Sequence, residues 1–243
     1  PPKLSVLNNV YMNYIFSRFL FLIIPVVFTY SGLVYSQVLQ YDDIVKIILQ
    51  EGNLRAGYHN VPHIGRMLPK EQTGLISYQQ EKNSYLYFSS LIVGAKVVDQ
   101  NSGNKIPITI PSAYRMSTDG SKRFSLLPVE GARNKNFATP ARASDQNTWP
   151  EAWGGVWKGY FGDDDIRSTE ELYFASTDQS MTIYSESGQY LPINGHPEIG
   201  GLGLLIETNV FAWNASDEDA YEPLRDSHII THRITNNSDY DID

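Results

Sequence analysis

The chain of 243 residues contains no cysteine. Disulfides cannot cross-link its fold, a lipid cannot be attached through a cysteine thiol, and thiolate metal sites and cysteine nucleophiles are excluded. Stability has to come from a packed core. Basic side chains are also scarce: Lys and Arg number 19 against 27 Asp and Glu, a net charge of −8, and two of the cations, Lys3 and Arg18, lie in the first 36 residues. No run of cations is present, so the field has the wrong sign for a polyphosphate, and nucleic acid is excluded as an expected partner. An acidic surface of this kind favours solubility. Also missing are a Gly-x-Ser-x-Gly elbow, a phosphate-binding Walker loop and an HExxH helix. Gly200-Gly201-Leu202-Gly203 lacks the flanking strand, helix and acidic partner of a dinucleotide site.

What is present begins with an address. Residues 12–36, MNYIFSRFLFLIIPVVFTYSGLVYS, have the layout of a secretory signal peptide. Met12 is a start, Arg18 the positive n-region, Phe19 to Val27 the apolar core, and Val34 with Ser36 occupy the positions a signal peptidase reads. Cleavage is expected after Ser36. Phe19 to Tyr35 is also an uncharged stretch close to the length of a membrane anchor, but Pro25 and the polar tail Thr29-Tyr30-Ser31-Gly32 favour a cleaved leader over a retained span. Membrane contact is expected only through this segment, and residues 1–11 upstream of Met12 stand outside the fold.

Behind the leader the chain divides into residues 37–80, a short helix and an irregular stretch, and residues 81–243, a β-rich domain. Asp42 or Asp43 before IVKIILQEG predicts a capped helix with Ile44, Ile47 and Ile48 on one face and Gly52 as terminator. Gly57, Pro62, Gly65, Pro69 and Gly74 then recur too often for a regular period. Tyr85 to Val98, rich in aromatic and β-branched residues, runs into the turn signal Asp99 to Gly103 before Ile106 to Ile110, a strand, turn, strand pattern. Further strands are expected at Phe124 to Leu127, Glu171 to Ala175, Met181 to Tyr184, Leu202 to Trp213 and His228 to Thr235. Residues 128–148 read as a polar excursion. Many short strands without alternating helices predict a mainly β protein, an antiparallel sandwich-like fold with an N-terminal signal helix and one short helix.

The densest chemistry lies at 149–165, WPEAWGGVWKGYFGDDD. Exposed Trp149, Trp153, Trp157 and Tyr160 would form a platform for sugar rings or extended peptides, since flat aromatics give large apolar contact at low entropy cost. Pro150 and Gly154-Gly155 argue against a helix here, and a buried aromatic cluster is the commoner use of such rings. Asp163, Asp164 and Asp165 suggest a hard cation such as calcium, as do Asp217-Glu218-Asp219 and Asp239, Asp241 and Asp243, although none completes an EF-hand loop; otherwise no cofactor is expected. His59 with His63 and His228 with His232 have HxxxH spacing, but Pro62 and a strand setting keep either pair from converging on one ion. His196 has no partner legible in the sequence. A pair of hydrolytic carboxylates is neither pointed to nor excluded among so many acids.

Thr148 to Trp153, Gly159-Tyr160-Phe161-Gly162, Gly201 to Leu204 with Val210 to Trp213, Glu218-Asp219 and Ile234 to Asp241 form an ordered set of motifs. Over residues 85–243 this set resembles the N-terminal part of large uncharacterised exported β-rich proteins of Bacteroidetes and Ignavibacteria-type bacteria, many of which end in a type IX secretion sorting domain. The resemblance implies a β-rich surface or secreted protein and carries over no catalytic residue. The sorting domain is absent from this sequence, and the ending ITNNSDYDID reads as a fragment of something longer. The expected function is a non-catalytic segment of an exported bacterial protein, in periplasm, outer surface or medium, serving structure, adhesion or ligand display with a glycan or surface protein as partner. A carbohydrate-binding module and part of a secreted hydrolase are the alternatives.

Overall fold

A computed structural model describes residues 44–65, 76–78, 84–112, 125–129, 132, 134, 139–214 and 222–242, all within one compact unit of the chain. The signal segment, Asp42, Asp43, Phe124, the Asp217 to Asp219 group and Asp243 lie outside the described residues.

The N-terminal strands are β1 (Lys46–Glu51), β2 (Leu54–His59), β3 (His63–Gly65), β4 (Ile76–Tyr78), β5 (Ser84–Leu86) and β6 (Phe88–Ser90). They form a six-stranded antiparallel sheet in the order β5-β4-β2-β3-β6, with β1 on the free edge of β2. β3 pairs with β6, so the stretches before and after residue 80 share this sheet. Then come β7 (Ile92–Val98) and β8 (Lys105–Pro111), a separate hairpin, and the short β9 (Leu127–Pro128), β10 (Ala141–Arg142), β11 (Lys158–Gly159) and β12 (Gly162–Asp163). β13 (Glu170–Thr177), helix α1 (Ile183–Glu186), β14 (Leu204–Ala212) and β15 (His228–Asn236) complete the order. The second main sheet runs β10-β13-β14-β15, with β9 also on β13.

Period-two burial organises these layers. In the β7–β8 hairpin Val93, Ala95, Val97, Ile106, Ile108 and Ile110 turn inward while Ile92, Lys96, Val98, Lys105 and Thr109 face water. The two main sheets pack as a sandwich through Leu49, Ala56 and Tyr58 on one side and Leu172, Phe174, Val210 and Ala212 on the other. A second cluster joins Val97, Ile108 and Ile110 to Leu126, Met181, Leu202 and Ile206. Each fully buried Leu or Ile contributes about 1.5–3 kcal/mol through apolar area removed from water. β13 is buried on both faces, because the far side of its sheet is covered by a tryptophan cluster.

The expected mainly β, antiparallel class is what the chain adopts, with two local corrections and one relocation. Residues 46–51 form a strand, not the predicted helix. The spacing of Ile44, Ile47 and Ile48 suits either period, and the two-residue turn Gly52-Asn53 decides by folding β2 back along β1, Glu51 opposite Leu54. The stretch to residue 80, expected to be irregular, holds β2, β3 and β4, whose three to six residues are too few to display a period. Met181 to Tyr184, expected as a strand, enters α1 instead: the amide of Met181 donates to Asp178 O at 2.9 Å and that of Glu186 to Thr182 O at 2.8 Å, and Met181 itself plugs the core. Among the described residues the one short α-helix therefore lies at 183–186.

Candidate functional site

Consecutive strand residues point to opposite faces, so Glu170 and Glu171 at the start of β13 serve different layers. Glu170 turns toward β10, where its carboxylate accepts from Arg142 Nη2 at 2.6 Å, Arg142 Nε at 3.0 Å and Ser144 Oγ at 2.6 Å. Glu171 turns toward the tryptophans. It is fully buried and accepts from Asn209 Nδ2 at 2.9 Å, the amide of Tyr160 at 3.1 Å and Trp157 Nε1 at 3.2 Å. Burial raises its pKa, and these three donors oppose the rise.

The four aromatic residues singled out by sequence fall in three settings. Trp157 is fully buried; Trp149 meets it at 5.5 Å between ring centroids and Trp153 at 5.2 Å, edge on, while Trp153 also packs on Tyr173 at 5.0 Å. Trp149 and Trp153 are half-buried, the first donating Nε1 to Arg142 O at 2.6 Å. No continuous helix carries them: 3-10 turns at Gln146–Thr148 and Glu151–Trp153 are separated by Trp149-Pro150, and Gly154 ends the second at φ 63°. Tyr160 stands apart. It is 49 % exposed at the tip of the β11–β12 hairpin beside Phe161, which is 39 % exposed, and both rest against Phe211. Their rings are perpendicular to each other, and the guanidinium of Arg167 lies 4.7 Å above Phe161.

This tip is held from beneath. Gly159 brings its backbone so close to Trp157 and Glu171 that a Cβ there would lie 2.3 Å from Trp157 Nε1. The three neighbouring aspartates diverge. Asp163 pairs with Lys158 at 3.1 Å, Asp164 accepts the amide of Trp157 at 2.9 Å, and Asp165 pairs with Arg167 at 2.7 Å, whose hydrogen bond lowers the pKa of Asp165. Among the described residues no group of three or more His, Asp or Glu converges as a metal site.

The histidines are distributed between the sheets. His59 and His63 are buried and edge on at 5.2 Å, and His63 stacks on Phe88 at 5.8 Å. His228 Nδ1 bonds Tyr58 Oη at 2.9 Å and His232 Nδ1 bonds Thr208 Oγ1 at 2.9 Å; burial lowers both imidazole pKa values. His196, without a partner in the sequence reading, has one in space, Glu198 at 2.8 Å. Where β3 and β6 approach β14 and β15, a small cleft of about 70 Å³ opens between the sheets, with Phe174, Val210 and Ile230 among its apolar walls. Tyr58, His63, Ser89, Ser90, Thr208 and His232 supply its polar groups, and among the described residues no carboxylate, Lys or Arg lines it. Such a cleft offers apolar contact and uncharged hydrogen-bond partners.

Sequence reasoning did not find Glu171 or Asp178. Asp178, fully buried after β13, accepts the amides of Leu202 at 2.6 Å and Leu204 at 2.8 Å, and burial pushes its pKa up to about 6. The only sequence signal was a pair of acids at the mouth of an apolar run and one at its exit. Compared with family models, curated proteins and solved structures, the chain matches none.

Proposed function

We propose that this chain is the β-rich body of an exported bacterial protein that acts without catalysis, in surface structure, adhesion or ligand display. The observation that supports this reading is the fate of the buried acids. Asp99, Glu170, Glu171 and Asp178 each accept hydrogen bonds from internal donors, and the described lining of the inter-sheet cleft includes no carboxylate. A hydrolytic site would instead turn two carboxyl groups toward a shared opening. The test is expression in a Gram-negative host followed by fractionation and N-terminal sequencing. The expected product lies beyond the inner membrane, begins at Gln37, and leaves chromogenic glycosides and esters intact. A cytoplasmic product retaining residues 12–36, or turnover above the buffer rate, would overturn the reading.

The carbohydrate-binding alternative keeps one observation in its favour, the exposed Tyr160 and Phe161 rings on the buttress of Phe211. A single stacked ring contributes modest affinity, and perpendicular neighbours provide one sugar-stacking face rather than a flat strip. On this reading a glycan array shows binding that Tyr160→Ala weakens at least tenfold, about 1.4 kcal/mol. An array without signal removes it.

A further inference from the structure

β15 is nine residues long, runs in unbroken register along β14 from Leu204↔Asn236 to Ala212↔His228, and contains no proline. Among the described residues no strand pairs with its other edge. A long, straight edge presents a row of unpaired N–H and C=O groups and acts as a template for another strand. Among the described residues the layers covering the rest of the sheet stop short of it. β13 is buried along nearly its whole length, whereas Ile229 and Ile234 of β15, on opposite faces, remain 43 % and 47 % exposed.

From this geometry we infer that β15 is an assembly edge, and that it takes a second copy of the same strand, antiparallel about a twofold axis at His232, joining two sheets into one. The sequence of the strand is complementary to itself in that register. Ile230 faces Ile234, Ile229 faces Thr235, Thr231 faces Arg233 and His228 faces Asn236, each pair on a common face because the shift preserves strand parity. No like charges stand opposite. Arg233, with Glu207 of its own molecule at 3.7 Å, meets a threonine. His232 meets its own copy with Nδ1 already engaged by Thr208, and burial biases the ring toward its neutral form. A foreign strand would have to supply this alternation separately; a second copy carries it.

Exposed apolar residues on both sides of the edge extend the contact. On the inter-sheet face β6, whose Phe88 is 49 % exposed, shares the cleft with Ile230 and His232. On the other face Tyr160 and Phe161 lie over Phe211, the cross-strand partner of Ile229. The pairing therefore removes aromatic and aliphatic surface from water as well as satisfying a backbone edge.

Sedimentation velocity of the full chain across the micromolar range tests the inference, with circular dichroism confirming the fold of each variant. The native chain is expected to dimerise reversibly. T231R, which sets two cations opposite one another, is expected to weaken the dimer by roughly fivefold, and T231E, which sets a carboxylate opposite Arg233, to tighten it by roughly the same factor. Because the chain has no cysteine, H232C adds a lone thiol at the axis, and mild oxidation should trap a covalent dimer of native fold. A chain that stays monomeric throughout overturns the inference. So does a dimer indifferent to both Thr231 variants and not trapped by H232C, as association through the apolar stretch 19–35 or any other face would be.

Discussion

Asp178 ties the end of β13 to the start of β14 through two backbone amides, with Gly201 packed against its carboxyl group so closely that a Cβ there would lie 2.4 Å from Asp178 Cγ. Its pKa is pushed up to about 6 because burial disfavours the charged form more than the amides favour it. The folded state thus holds this proton more tightly than the unfolded chain does. The stabilisation it gives is complete below the unfolded carboxyl pKa and is lost as pH rises through about 6. On that basis the contribution of Asp178 should fall by about 2 kcal/mol between pH 4 and pH 7. Asp178→Ala leaves two buried amides unsatisfied and should cost about 2–4 kcal/mol in urea unfolding at pH 7. The loss should be larger at pH 4; an equal loss at both pH values would refute the assignment. Glu171 is the complementary case, a buried acid whose three donors hold the exposed Tyr160 tip in place. Neither role could be read from the chain, because the partners lie 11 to 38 residues away and are fixed by sheet register.

Among the elements, the β7–β8 hairpin was legible because two alternating apolar runs flank a strong turn signal, in which Asp99 accepts the amide of Asn101 at 2.8 Å and the hydroxyl of Ser102 at 3.0 Å. β13, β14 and β15 were legible to within a few residues for the same reason, their β-branched and aromatic content. β1 was not, since an apolar spacing of three and four is compatible with a strand once a pairing partner exists. That partner is delivered by Gly52, at φ 61°, whose missing side chain also lets the turn dock on residues 222–226: the amide of Asn53 donates to Arg225 O at 2.9 Å. A Cβ on Gly52 would lie 2.3 Å from Arg225 O. Gly52→Ala is therefore expected to destabilise the protein by about 2–3 kcal/mol, from the left-handed conformation and the clash together. A midpoint of urea unfolding equal to that of the parent chain would contradict this. α1 escaped prediction because four residues are fewer than any periodic signal needs.

For the molecule as a whole, the sandwich follows from alternation within strands, while the third layer does not. Trp149, Trp153 and Trp157 were recognisable as a cluster from Pro150 and Gly154-Gly155, which forbid a helix. That they roof β13 and leave Tyr160 outside depends on Gly159 and Glu171 meeting across the sheet. Among the described residues the same layering leaves β15 as the uncovered margin, and so makes it the place where a twofold assembly would form. By itself the sequence determined composition-level properties: a thiol-free, acidic chain, stabilised by a core instead of cross-links, with period-two stretches that can only be strands. Tertiary structure alone decided which face each strand buries, which acids become internal ligands of the backbone, and where an edge stays open. These depend on contacts between distant residues, and local patterning carries no record of them.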